Sequence, residues 1–200
     1  MAITSMDATV RQQQKAATRE RVVESALALF ARQGIVETKT ADIAKAIGMS
    51  HGVIFLHFAT RDDLVIAVID EFGRRLQAEF RRATEGGLSL RAVLDAHLRV
   101  LEEFEAFYAR LVTEATLLPE KVRGTLLMLQ AAVSQRITVA AERERAEGRI
   151  RLMPRHLLFN TWIGLVHHYL ANRDLFTDGP SVIAAKKDEL VNHFLALVSA

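Results

Sequence analysis

Chemistry in this chain would have to come from its seven histidines and its carboxylates, because it has no cysteine. His97, His167 and His168 with Glu114 are the one set of metal-ligand character. Adjacent His167 and His168 project about 100° apart on a helix and do not easily share one ion, so no metal is expected. No Gly-rich phosphate loop, Ser nucleophile motif or His–Glu pair at metal spacing occurs. The common enzyme classes are therefore excluded, and no cofactor is expected. Two further histidines, His51 and His57, lie in SHGVIFLHFATRDDL, residues 50–64. That stretch opens on a capping serine, turns apolar for most of two helical turns, and is broken by Gly52 and two imidazoles. A core strand has no use for such interruptions. A helix that buries one side and shows the other to something specific does.

The elements that must position this stretch read as helices. There are only three prolines, Pro119, Pro154 and Pro180, each at a helix boundary, and no period-2 pattern persists. The first helix spans about 17–33, with Val22, Val23, Ala26, Leu27, Leu29 and Phe30 at helical spacing and Gly34 as its stop. A short helix follows at about 41–47, capped by Thr38 or Thr40. The next begins at Ser50 and runs to about Phe58. Thr60, with Asp63 three residues on, starts a long helix to about Thr84. Looser runs at about 89–104, 106–117, 120–146, 155–171 and 181–198 complete an all-α chain of about nine helices. The seam between 104 and 106 carries no Gly or Pro.

Half the residues are hydrophobic and a quarter charged, as in an ordinary globular chain. No apolar run reaches membrane-spanning length, so no membrane partner is expected. No signal peptide is evident either, and a cytoplasmic protein free of disulfides is expected. Residues 1–58 hold seven Lys or Arg against five acids, and the other basic and acidic residues cancel, so the net charge of +2 sits in the N-terminal part. That placement points mildly to a polyanion. Residues 1–16 are polar and lack an apolar stripe, and read as a flexible arm.

Two short helices joined by IGMS form a helix-turn-helix: Gly48 permits a positive backbone angle and Ser50 restarts the helix at once. The second helix is too short to stand alone. Ile54 and Phe58 turn to the core, against Ile43, Ile47, Phe30 and Leu27, and the far side is left to enter a major groove.

TADIAKAIGMSHGVIFLHFATRDDL, with Phe30 and Gly34 before it, resembles the DNA-binding domain of the tetracycline repressor (TetR) family over about residues 18–68. The resemblance implies a homodimeric, ligand-responsive transcriptional repressor. Its layout is a helix-turn-helix DNA-binding domain of three helices over 17–60, then a helical ligand-binding and dimerisation domain over 61–200. Position by position, Thr40 and Ser50 resemble phosphate-contacting caps, and Lys45 and Arg61 resemble phosphate-binding cations. His57 matches a position that often touches the backbone. His51, Gly52, Val53 and Leu56 fall where base edges are read, beside Phe55. The family often has Lys or an amide at 51, Thr at 53, Tyr at 55 and Tyr or His at 56, and usually Pro where Ala59 stands. Several hydroxyl donors are thus missing, and Phe55 cannot bond a phosphate as Tyr would. Val53 and Leu56 remain able to meet thymine methyls. The alternative is a helical protein-interaction module built on a degenerate helix-turn-helix.

In 157–170 apolar residues occur all round, and Gly164 lets another backbone approach. The last helix adds Val191, Phe194, Leu195 and Val198. The resemblance implies that these last two helices pair with those of a second copy. For a small-molecule effector, His97 lies on an apolar stripe, and Phe104, Tyr108, Leu111, Met128 and Trp162 are candidate lining. His97, Tyr108, Glu114 and His167 are the polar handles of that expected pocket.

Overall fold

The computed structural model describes residues 3–200. Among them the chain is helical apart from one isolated antiparallel bridge, Ile150 to Ser199. The helices are α1 (Ile3–Gln33), α2 (Thr40–Ala46), α3 (His51–His57), α4 (Arg61–Thr84), α5 (Leu90–Glu103), α6 (Glu105–Thr113), α7 (Glu120–Ala146), α8 (Arg155–Ala171) and α9 (Val182–Val198). Short 3-10 turns at Ala115–Leu117 and Arg173–Leu175 lead out of α6 and α8. Local rules explain most boundaries. Thr60 accepts from the Asp63 N–H at 3.1 Å, and the Asp63 carboxylate accepts back from the Thr60 N–H at 3.0 Å. Ser89 and Ser181 cap α5 and α9 in the same way, accepting from Ala92 and Ala184.

Two expectations are corrected, and one unmarked seam is located. The first helix does not begin near 17; it runs back to Ile3. Residues 10–17 are exposed, so they carry no apolar stripe, but Arg, Gln, Lys and Ala are good helix formers and no Gly or Pro stops them. Met1 and Ala2 of the expected arm lie outside the described residues. The cap of α2 is neither Thr38 nor Thr40. Lys39 occupies that place, its N–H given to Asp42, while the buried Thr38 hydroxyl donates to the Gly34 carbonyl at 2.6 Å. The unmarked seam is Phe104, which leaves helical geometry (ψ 16°) to bury its ring edge-on to Phe72.

α4 lies at the centre, packed on α1, α5 and α7; α6 crosses α1 and α8; and α9 covers α5 and α8. One hydrophobic cluster runs from Val22 of α1 to Val198 of α9. The helix-turn-helix is therefore mounted on the same core as the rest of the chain, with Phe30 of α1 lying 6.4 Å from Phe107 of α6 between ring centres.

Gly34 ends α1 at φ +94°, and a Cβ built there would meet Glu114 Oε1 at 2.6 Å. Gly34→Ala adds backbone strain of roughly 1–3 kcal/mol and collides with that carboxylate. Its unfolding free energy from urea titration should fall by that amount, while Gly52→Ala, with open space around it, should lose little stability.

Candidate nucleic-acid interface

α3 has seven residues, too few for independent helix stability. It is fixed by Ile54 and Phe58, both buried, each worth about 1.5–3 kcal/mol of apolar burial. His51, Gly52, Phe55 and Leu56 are exposed, and Val53 and His57 are partly so. Two large apolar side chains on an outer face, Phe55 at 46% and Leu56 at 74% exposure, are unusual for a helix that is finished at this surface.

The polar residues around α3 are already oriented. The Thr40 hydroxyl and His51 Nε2 share a hydrogen bond at 2.8 Å, and the His51 ring stands edge-on to Phe55 at 5.1 Å. The other ring nitrogen of His51 therefore points away from Thr40. Lys45 is exposed, as is Ser50 at the start of α3. His57 Nδ1 is buried without a hydrogen-bond partner. Burial first, then the charges of Lys15 and Arg19, lowers its pKa from the ordinary histidine value.

Arg61 departs from the phosphate role that the resemblance implies. Its Nε donates to the Thr38 carbonyl at 3.2 Å and its Nη2 donates to the Ile35 carbonyl. The guanidinium is turned inward onto the loop between α1 and α2, where a fork of rigid donors satisfies two carbonyls at once. Glu114, at the end of α6, grips the same loop from the other side, accepting from the Val36 N–H at 2.8 Å. Glu114 is thereby committed to the backbone and is no polar handle for a pocket. Loop 34–38 is clasped by one side chain from α4 and one from the residue that follows α6, and α2 and α3 hang from it. Lys121 adds a 2.5 Å contact to Asp63, tying the start of α7 to the start of α4.

Residues 22–68 match the model of the bacterial regulatory proteins of the tetR family. An HTH-type transcriptional repressor of Mycobacterium tuberculosis is 39% identical over 80 residues, which span 40% of this chain and 42% of that protein. Over that segment the chain is similar to the tetR family. The fold agrees over nearly the whole length. A TetR-family regulator from Agrobacterium tumefaciens superposes with TM-score 0.76 at 21% identity, covering 93% of this chain and all of that one. The regulator FadR from Bacillus subtilis, solved in complex with stearoyl-CoA, gives 0.72 at 16% identity over 88% of this chain and 97% of that one. The aligned sequence spans about two-fifths of the curated relative, within which the tetR-family segment falls.

Behind that segment the candidate effector residues divide. His97, Phe104, Tyr108, Leu111 and Trp162 are buried, and His167 is partly so. The indole N–H of Trp162 donates to His97 Nδ1 at 3.0 Å, and the Tyr108 hydroxyl meets His167 Nε2 at 3.2 Å. Phe72 joins them, 5.1 Å from Tyr108 and 5.4 Å from Phe104 between ring centres. Met128 does not belong: it is 76% exposed on the outer face of α7. The buried stripe of α7 runs through Val122, Leu126, Val133 and Ile137, and two residues past Leu126 is half a turn away from it. Sequence reasoning passed over Glu105. This buried carboxylate of α6 accepts from Ser181 Oγ at 2.5 Å and from the Val182 and Ile183 N–H groups at 2.8 and 3.1 Å, holding the start of α9. No group of three or more metal-ligating side chains is found among the described residues.

Burial pushes His97 down to about 3, with His167 adding repulsion, and pushes His167 down to about 4. Both stay neutral in the folded chain where the unfolded chain takes up protons. Their contribution is therefore complete above the ordinary histidine range and is lost as pH falls toward 4. The urea midpoint should drop between pH 7 and 4.5, and His97→Gln should show a shallower drop from a lower start. An equally steep drop would exclude His97 as a source.

Proposed function

We propose that the chain is a ligand-responsive DNA-binding transcriptional regulator of the cytoplasm. It acts as a repressor, binds a palindromic operator as a homodimer, and is released by a small, largely apolar effector. The observation that carries this is the outer face of α3. His51, Gly52, Phe55 and Leu56 are presented together on a helix that the core and the clasped loop hold rigid. Lys45 lies exposed on the preceding helix. A rigid short helix of this kind fits a major groove, where apolar side chains discriminate thymine methyls.

The homodimer is supported by α8 and α9. The outward side of α8 carries Leu157, Thr161 and Gly164, with nothing within 4 Å of a Cβ built at Gly164. Ala196 and Leu197 face outward on α9. An effector site is supported by the His97–Trp162 and Tyr108–His167 pairs, which bring polar atoms into an apolar interior beside Phe104 and Leu111. The stearoyl-CoA bound by the Bacillus subtilis neighbour is in keeping with an effector of apolar character. Exposed Phe55 and Leu56 also suit the second reading, a protein-interaction module. Dependence on salt separates the two, because each phosphate contact releases counterions.

Binding to duplex DNA selected by the protein from a random pool should weaken steeply with salt. Lys45→Ala should flatten the log–log slope by about two units, one for each protomer of the proposed dimer. Leu56→Ala should lower preference for the selected sequence with stability held within about 0.5 kcal/mol, as for an exposed site. Salt-independent binding, or none, would favour the interaction module.

A further inference from the structure

The first turns of α1 carry cations in register. Arg11, Lys15 and Arg19 recur every four residues, so they share one face over ~12 Å of helix axis. All three are exposed. This face meets the end of the reading helix. The Arg19 guanidinium sits over the Phe58 ring, 4.9 Å from its centre. Lys15 and Arg19 are also the charges that bear on His57. The basic face thus begins where α3 ends and continues away from it.

We propose that the face of α1 bearing Arg11, Lys15 and Arg19 is a second DNA-contact surface. It grips backbone phosphates of the duplex just outside the half-site that α3 faces. The proposal rests on the DNA-binding reading above. The occupant is set by charge complementarity and by continuity with α3. A helix with its side chains is ~10–12 Å across and the minor groove ~6 Å wide, so α1 lies along the backbone and does not enter the groove. Contacts of that kind add affinity and fix orientation without reading sequence.

The test uses the full chain and two duplexes carrying the sequence it selects from a random pool. One ends at the half-site edges and the other extends ten base pairs beyond each. The wild-type protein should bind the extended duplex at least about tenfold more tightly at low salt, with a salt slope steeper by about four units, one for each Arg11 and Lys15 of the two protomers. Arg11→Gln with Lys15→Gln, which keeps helix propensity, should bind both duplexes alike. A third variant restores the charge on the opposite face by adding Gln13→Lys and Ala17→Lys to that pair. It should not recover the gain. Recovery would overturn the helical face in favour of a flexible basic arm. Equal wild-type binding to both duplexes would overturn the surface outright, as would a gain that depends on whether the flanks are A·T or G·C. Absence of any duplex binding is a different outcome, in which the DNA-binding reading itself fails.

Discussion

The placement of α3 depends on five residues that belong to neither helix beside them. Loop 34–38 carries α2 and α3, and it is held by Glu114 accepting from Val36 and by Arg61 donating to Ile35 and Thr38. Both side chains are charged and partly or largely withdrawn from water, so each bond is of the stronger kind, about 1.5–3 kcal/mol. Gly34 makes the arrangement possible twice over. It turns the chain at positive φ, and its missing side chain leaves room for the Glu114 carboxylate.

Seen from α6, the clasp is half of a longer connection. This nine-residue helix has a carboxylate at each end, Glu105 on the start of α9 and Glu114 on the loop of the reading segment. Between them Phe107, Tyr108 and Leu111 are buried in the core, with Tyr108 bonded to His167. On the proposed function, an effector that parts the interior side chains displaces α6 and, through Glu114, the loop. Linkage then requires the effector to bind the DNA-bound protein less well by the same factor by which it weakens DNA binding.

Much of the fold was legible because local rules write helix ends into sequence. Thr60 caps as expected, and Gly34, Gly48 and the three prolines fall at breaks. The helix-turn-helix was legible because the tetR-family segment is short and dense in specific residues. What stayed hidden depended on tertiary partners. Glu114 and Val36 are 78 positions apart, and nothing near either marks the other. Arg61 looked like a surface cation because its residue type does not tell which way a guanidinium turns. Met128 was drawn into the interior by its apolar character, although its phase on α7 places it outside. Phe104 breaks a helix through packing on Phe72, a cause with no local signature. The early start of α1 escaped a reading that looked for an apolar stripe, which an exposed helix lacks.

The central claim is that Glu114, which follows α6, sets the place of α3, the helix proposed to read DNA. The direct measurement is the ratio of affinities for selected and random duplexes, compared between wild type and Glu114→Ala at one salt concentration. Cations such as Lys45 are untouched by this change, so random-sequence binding should hold. Selected-sequence binding should fall by about tenfold or more, a loss of about 1.4 kcal/mol. A ratio unchanged from wild type would contradict the account, whether both affinities fall together or neither moves.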